Sequence, residues 1–351
     1  MSGDENFLSS EKQKSKKKKR KNTMKKLMAL LLTIALSASM VACSSAPASG
    51  ETTEGETAET IKIGILQQLE HGSLDSAREG FIKALADNGY VDGENIEIDY
   101  QNAQGDQSNL STMSERFVNN ESDLVLAIAT GAAQSIASKT EDIPVLFTAV
   151  TDPLDAGLVA SNEVPGGNIT GTNDMNPIEA QIDLITEIYP ETETIGIVYC
   201  SSEDNSILQA NQAKAYIESA GLKWVEGTVT NSNDVQQVTQ SIVTKCDAIY
   251  IPTDNAYASA MAVVAGVVEE SKTPVVAGAI DMVADGGLMT LGLNYYNLGY
   301  QTGEMAVRVL EGADTATMPV ESLVKYDYYF NADMVSALGV EIPEKYLEYV
   351  Q

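Results

Sequence analysis

The sequence predicts an α/β protein built as two doubly wound parallel-sheet lobes joined by a hinge. Three observations carry the prediction. From Ile61 onward, short β-branched runs alternate with segments of helical period, the pattern of parallel strands joined by helical crossovers. The alternation pauses at Val164 to Pro177, rich in Gly, Asn and Pro, and then starts again. Finally, the about 290 residues beyond Thr60 exceed one typical domain and suit two lobes.

Taken in order, Ile61 to Leu66 reads as a buried strand. Ser76 to Asn88 follows as a helix with Ala77, Phe81, Ala84 and Leu85 on one face, stopped by Gly89. Asn95 to Gln101, Leu124 to Ile128 and Ile143 to Val150 are the next strands. Helices marked by Leu110, Met113 and Phe117 and by Ala132 to Ser138 lie between them. In the second half, Ile178, Ile182, Ile185 and Ile188 share a helical face ended by Pro190. Strands at Thr194 to Tyr199, Lys223 to Val229, Asp247 to Ile251 and Pro274 to Gly278 then alternate with helices at Ser206 to Ala220, Val235 to Thr244 and Tyr257 to Glu269. Leu288 to Leu293, a helix over Leu298 to Glu311 and a strand over Leu323 to Phe330 recross the hinge, so each lobe is discontinuous. Lobe 1 is expected over 61–174 plus 294–319, and lobe 2 over 175–293 plus 320–351.

What precedes the body decides its compartment. Lys25-Lys26, the apolar run Leu27 to Leu36 and the small-residue approach Ser37 to Ala42 are the three regions of a secretory signal. The run is too short to span a bilayer. Cys43 directly after Val41-Ala42 resembles the lipobox of bacterial lipoproteins, with Met40 where Leu is commoner, so residues 1–43 are read as a signal peptide whose Cys43 becomes the lipidated first residue. Residues 1–23 are expected to be an extended start or a mis-assigned one, Met24 being the alternative. Residues 44–60 (SSAPASGETTEGETAET) contain no large apolar side chain and read as a disordered tether.

Charge is divided just as sharply. Up to Ala42 there are 10 Lys or Arg against 3 Asp or Glu, and from Cys43 onward 12 against 47, giving formal charges of +7 and −35. So acidic a body repels phosphate backbones, which excludes nucleic acid as a partner. Besides Cys43 only Cys200 and Cys246 occur, expected as two buried, unpaired thiols at strand ends, with a disulfide between them outside the cytoplasm as the alternative. With one His in the chain, no metal-ligand spacing appears, and neither a metal nor another cofactor is expected.

In open parallel sheets, ligands lie beyond the carboxyl ends of the strands, so the turns there are the candidate site. After the third strand, Ala129-Thr130-Gly131-Ala132-Ala133-Gln134 sets a hydroxyl and backbone N–H groups at a helix start, suited to a carboxylate or to plain capping. After the fourth, Thr148-Ala149-Val150-Thr151-Asp152-Pro153 adds hydroxyls at the same level. In the second half, Cys200 to Ser206 and Pro252-Thr253-Asp254-Asn255 are the matching turns. Asp254 is suited to a ligand ammonium, or else caps the helix beginning near Tyr257. His71, after Gln68-Leu69-Glu70, reaches the same crevice or remains an ordinary loop histidine.

At these residues the chain resembles a family. Gln68 to Phe81 (QLEHGSLDSAREGF), Leu146 to Asn168 with Ile169-Thr170-Gly171 after it, and Gly299 to Gly312 (GYQTGEMAVRVLEG) are similar to the substrate-binding lipoproteins of ABC transporters of the tryptophan/tyrosine type. The similarity runs from about Ile61 to Pro343. It implies a type I periplasmic-binding fold that closes on an amino acid, aromatic by the family's preference, and delivers it to permease subunits from the outer face of the cell membrane. Carried over, Thr130, Ala133 and Thr148 would hold the carboxylate and Asp254 the ammonium. Asn205 and Asp281 would form the lower-lobe edge, and Gln68 and His71 would flank the side chain. Ala132, Ala149, Asp152 and Asn255 complete the expected ligand-binding set. Gly72 and Gly131 stand where the family more often carries Pro-containing sequence. No catalytic residue is expected: no Gly-x-Ser-x-Gly elbow occurs, and a Ser-His-Asp triad would have to rely on His71. A lipoprotein sensor acting on a membrane signalling protein is the other function compatible with the same features.

Overall fold

The computed structural model describes residues 60–351. The signal, the lipobox at Cys43 and the tether up to Glu59 therefore lie outside the described residues.

The first half runs β1 (Ile61–Gln67), α1 (Gly72–Asp87), β2 (Ile96–Asn102), α2 (Gln107–Asn119), β3 (Leu124–Ile128), α3 (Thr130–Ala137), β4 (Val145–Val150) and β5 (Ile169–Asn173). The second runs α4 (Ile178–Ile188), β6 (Thr194–Cys200), α5 (Asp204–Ser219), β7 (Lys223–Val229), α6 (Val235–Ile242), β8 (Ala248–Ile251), α7 (Asn255–Ala258), α8 (Met261–Ser271), β9 (Val275–Ala277), α9 (Ile280–Ala284) and β10 (Met289–Gly292). Then come α10 (Tyr295–Leu310), β11 (Glu321–Ser322), β12 (Asp327–Phe330) and α11 (Ala332–Leu338).

These strands form two six-stranded sheets, in the orders β11-β5-β4-β3-β1-β2 and β12-β10-β9-β8-β6-β7. Apart from the antiparallel β10/β12 edge, each ladder is parallel. The first five strands of each half thus repeat one winding, 2-1-3-4-5 from the outer edge, with the switch point between the first and third strands. Parallel strands covered on both faces must be apolar throughout, and β3 and β4 are buried at every position. Ile63 and Ile65 belong to the core that holds Phe81, while Leu66, Val125 and Phe147 belong to a second core with Phe117. A side chain at Gly64 would meet the Phe117 ring at 2.6 Å, and one at Gly196, its counterpart in β6, would meet Ile242 at 2.5 Å.

Three segments connect the sheets: 174–177, 293–294 and 323–326. The structure corrects the expectations around them. Residues 169–173, expected as part of the first crossing, are a fifth strand, concealed by its Gly171 and its brevity. Of the strand expected over 323–330 only Asp327–Phe330 forms, in the second sheet, while the separate pair Glu321–Ser322 before it joins the first sheet, so the third crossing falls beyond the 319/320 boundary drawn from sequence. The helix expected from Tyr257 breaks at Ser259-Ala260 into α7 and α8. Both thiols are free, Cys200 buried and Cys246 half-buried.

Candidate functional site

The carboxyl ends of the two sheets face one partly open cavity, with about 300 Å³ of empty space counted out to the solvent at its mouth. Its wall draws on both halves: the β1–α1 loop and the end of β4 on one side, the starts of α5, α7 and α9 on the other. The first two crossings close its back through Asp174 and Tyr295.

Asp174 is the central polar group. Tyr295 Oη donates to its Oδ2 at 2.6 Å, tying together crossings 121 positions apart, and Asn176 Nδ2 donates to its main-chain oxygen at 3.1 Å. Its Oδ1 is buried and without a partner. Burial pushes the Asp174 carboxyl up from its ordinary range, opposed chiefly by the Tyr295 hydroxyl. Among the described residues, no Lys or Arg lines the cavity.

On the first half, His71 and Ser73 line the wall, and both His71 Nδ1 and Ser73 Oγ are buried without partners. Ser73 lies in the first turn of α1, a 16-residue helix with no side-chain cap, so its early N–H groups and positive dipole end remain available. The expected carboxylate site at α3 is arranged otherwise. Gln68 Oε1 accepts the Gly131 N–H at 2.9 Å, so Gln68 caps this helix rather than flanking a ligand ring. Thr130 is off the wall, and Ala132 and Ala133 pack into the core beside Leu66 and Phe147. Thr148 Oγ1 accepts from Thr172 Oγ1 at 3.1 Å inside the lobe, and Asp152 Oδ1 accepts the N–H groups of Leu154 and Asp155. Ala149 does line the cavity, with φ at +56°, a strained left-handed conformation held where β4 is irregular.

On the second half, Asn205, Asp254 and Asn255 are on the wall as expected. Asp254 is fully engaged: Oδ2 accepts Cys200 N at 2.5 Å and Oδ1 accepts Tyr257 N at 2.8 Å, making it the N-cap of α7 and a clamp on β6. Beside it, Glu203 accepts Asn255 N, Asn255 Nδ2 and Ala256 N. Burial pushes both carboxyls up, and for Glu203 the charge of Asp254 adds to the rise. Asp281 is off the wall, but packs against the opposite lobe, where a Cβ on Gly72 would lie 3.1 Å from its own.

The lobes also touch directly. His71 Nε2 meets Asn255 Oδ1 at 3.1 Å, Gln134 Nε2 donates to Asp204 Oδ2 at 2.9 Å, and Gln209 Nε2 donates to Thr151 Oγ1 at 3.3 Å. The ligand-binding set expected from sequence omits Ser73, Thr151, Asp174, Glu203 and Tyr295, although the turns that carry Thr151 and Glu203 are among the candidates. For Asp174 and Tyr295 a signal existed, since both lie at crossings, and a crossing must back any cleft that closes about it.

Two α/β lobes, three crossings and a polar cavity between sheet ends define a type I periplasmic-binding fold, that of proteins which capture solutes without transforming them. The chain belongs to the family described as ABC transporter substrate binding protein, whose family model matches residues 62–351. It is thus an extracytoplasmic substrate-binding protein of an ABC transporter. Among the described residues no helix is long and apolar enough to cross a membrane. The chain is 41% identical over 294 residues to a tyrosine-binding protein of Clostridioides difficile, covering 84% of this chain and 85% of that one. It superposes with a TM-score of 0.80 on a domain from Streptococcus pneumonia in complex with L-Trp, at 41% identity over 83% of this chain and 99% of that one. With the ligand-free, open structure of a substrate-binding protein with adhesive properties from Clostridium difficile the TM-score is 0.65, at 43% identity over 83% and 98% of the two chains. At nearly equal identity the likeness is greater to the complex than to the open structure, in keeping with the hydrogen bonds that join the lobes here.

Proposed function

We propose that the protein captures a zwitterionic aromatic amino acid by hinge closure and delivers it to a membrane permease. The observation that carries this reading is Asp174 Oδ1, a buried carboxylate oxygen without a partner in a cavity lined by no cation. A ligand ammonium supplies the missing donor and charge. The ligand carboxylate is assigned to the first turn of α1 with the Ser73 hydroxyl, in place of the α3 start that Gln68 already caps. The relatives named for tyrosine and bound to tryptophan support the aromatic preference.

Titration calorimetry with tyrosine, tryptophan, phenylalanine and leucine tests the reading. An aromatic amino acid is expected to bind most tightly. Ser73→Ala is expected to weaken it about tenfold, because a hydrogen bond to a charged group is worth about 1.5–3 kcal/mol. Thr130→Val should change it less. Preference for a sugar over every amino acid, or a larger loss in Thr130→Val than in Ser73→Ala, would overturn the ligand class or its orientation respectively.

The anchor is part of the same proposal, supported by the lipobox-like approach to Cys43. Multiple acyl chains hold a protein stably at a bilayer, whereas one binds reversibly. Cys43→Ala should therefore abolish lipid labelling and either move the protein from the membrane to the soluble fraction or leave it uncleaved. Unchanged processing and fractionation would refute lipidation.

A further inference from the structure

The cavity wall contains a hydrogen-bond chain that begins at a residue outside the expected ligand set. We propose that Glu203 is a positioning residue for ligand recognition: it orients the Asn255 amide so that His71 keeps its proton on Nε2 and offers Nδ1 as an acceptor to an N–H or O–H donor of the ligand. The inference rests on the amino-acid reading above.

The directions follow link by link. Glu203 Oε2 lies 2.5 Å from Asn255 Nδ2 and 3.1 Å from Asn255 N, and its Oε1 lies 3.0 Å from Ala256 N. Burial and the charge of Asp254 push the Glu203 carboxyl up to about 8, but each of its oxygens accepts a main-chain N–H, from Asn255 and from Ala256; in the ionised form it has no hydrogen to give, and the amide turns its nitrogen toward it. That leaves Asn255 Oδ1 facing His71 Nε2 at 3.1 Å. An amide oxygen only accepts, so the hydrogen of this bond belongs to Nε2. Burial lowers the affinity of the His71 ring for a second proton, against the opposing influence of Asn255 and the Asp75 charge, and a neutral ring carries one N–H. Nδ1 is therefore a bare acceptor, and it is buried, unpartnered and on a residue of the cavity wall.

The geometry also gives the arrangement a condition. His71 stands at the start of α1 in the first lobe, while Glu203 and Asn255 belong to the second. The bond that fixes the tautomer thus bridges the lobes, so the acceptor is defined where the lobes meet around a ligand. Two unpartnered acceptors on residues of one cavity wall, His71 Nδ1 and Asp174 Oδ1, ask for a ligand rich in donors.

His71 is the one histidine of the chain, so ¹⁵N-histidine labelling reports this ring without assignment. In wild type saturated with L-tyrosine, nitrogen shifts are expected to place the proton on Nε2 and to show Nδ1 accepting a hydrogen bond. Glu203→Gln can offer its own NH₂ to the amide, so it should yield a mixture of tautomers and about tenfold weaker binding of tyrosine by calorimetry. Two further variants separate acceptor from latch. His71→Asn carries an acceptor near the Nδ1 position and is expected to retain most of the affinity. His71→Gln reaches the Nε2 position, keeps the contact to Asn255 and is expected to lose at least tenfold. Tyrosine bound with the proton on Nδ1, or His71→Gln binding as tightly as wild type, would overturn the inference and leave amino-acid capture standing. A wild type that binds no amino acid would remove both.

Discussion

Asp174→Asn is expected to weaken amino-acid binding roughly a hundredfold while leaving the unliganded protein as stable as before. The substitution keeps shape and keeps an acceptor for the Tyr295 hydroxyl, which now meets Asp174 Oδ2 at 2.6 Å. What it removes is the charge that answers a ligand ammonium. Stranding one member of a buried ion pair costs about 3–5 kcal/mol, and even the lower figure is about a hundredfold in affinity. The unliganded protein gains nothing from that charge, since burial already pushes the Asp174 carboxyl up. Calorimetry and thermal melts on the same preparations separate the two effects. Full affinity in Asp174→Asn would take the ammonium away from Asp174. Asp254→Asn should behave in the opposite way, because both oxygens of Asp254 already hold backbone N–H groups. Asn caps a helix about as well as Asp, but its NH₂ must face one of those two backbone N–H groups and leave it without an acceptor, at about 1–3 kcal/mol of stability, and ligand affinity should fall less than in Asp174→Asn.

That contrast shows where sequence reasoning stops. Strand-end turns are legible because an apolar run ending in Thr or Asp marks both the strand and its exit, and His71, Ala149, Asn205, Asp254 and Asn255 were found in this way on the cavity wall. Whether a polar residue at such a turn faces a ligand or satisfies its own backbone depends on partners far away in the chain. Gln68 and Gly131 are 63 positions apart, and their bond closes the helix start that looked open. Thr148 looked like a ligand hydroxyl because nothing local shows that Thr172 would donate to it. Asp174 was concealed for the converse reason. It follows no apolar run of its own and is brought into the site by the crossing, with a partner 121 positions away. The repeated winding of the two halves, by contrast, is written in local pattern, and Ile63-Gly64-Ile65 and Ile195-Gly196-Ile197 open the two sheets in the same way.

The site is backed by the close packing of α1 against α10, and Gly299→Ala is expected to lower the melting temperature by roughly 6–12 °C. A Cβ at Gly299 would lie 1.8 Å from the Ala77 carbonyl oxygen, and one at Gly80 would lie 2.0 Å from that of Tyr296. Both obstacles are backbone atoms, which no rotamer change can clear, so the helices must separate. Overpacking typically costs about 1–3 kcal/mol; with backbone as the obstacle the upper end applies, and each kcal/mol moves the midpoint by about 2–4 °C. The consequence extends to the site, because α10 begins with Tyr295, the partner of Asp174. Lifting α10 off α1 draws the Tyr295 hydroxyl away from the carboxylate, so amino-acid affinity should fall together with stability. Gly266→Ala is the control: it is exposed within α8, a Cβ there meets nothing within 4 Å, and relief of glycine's backbone freedom should add about 0.5–1 kcal/mol. Equal melting temperatures for Gly299→Ala and wild type would show that these helices do not touch backbone to backbone. Lost stability with unchanged affinity would uncouple the helix pair from Asp174.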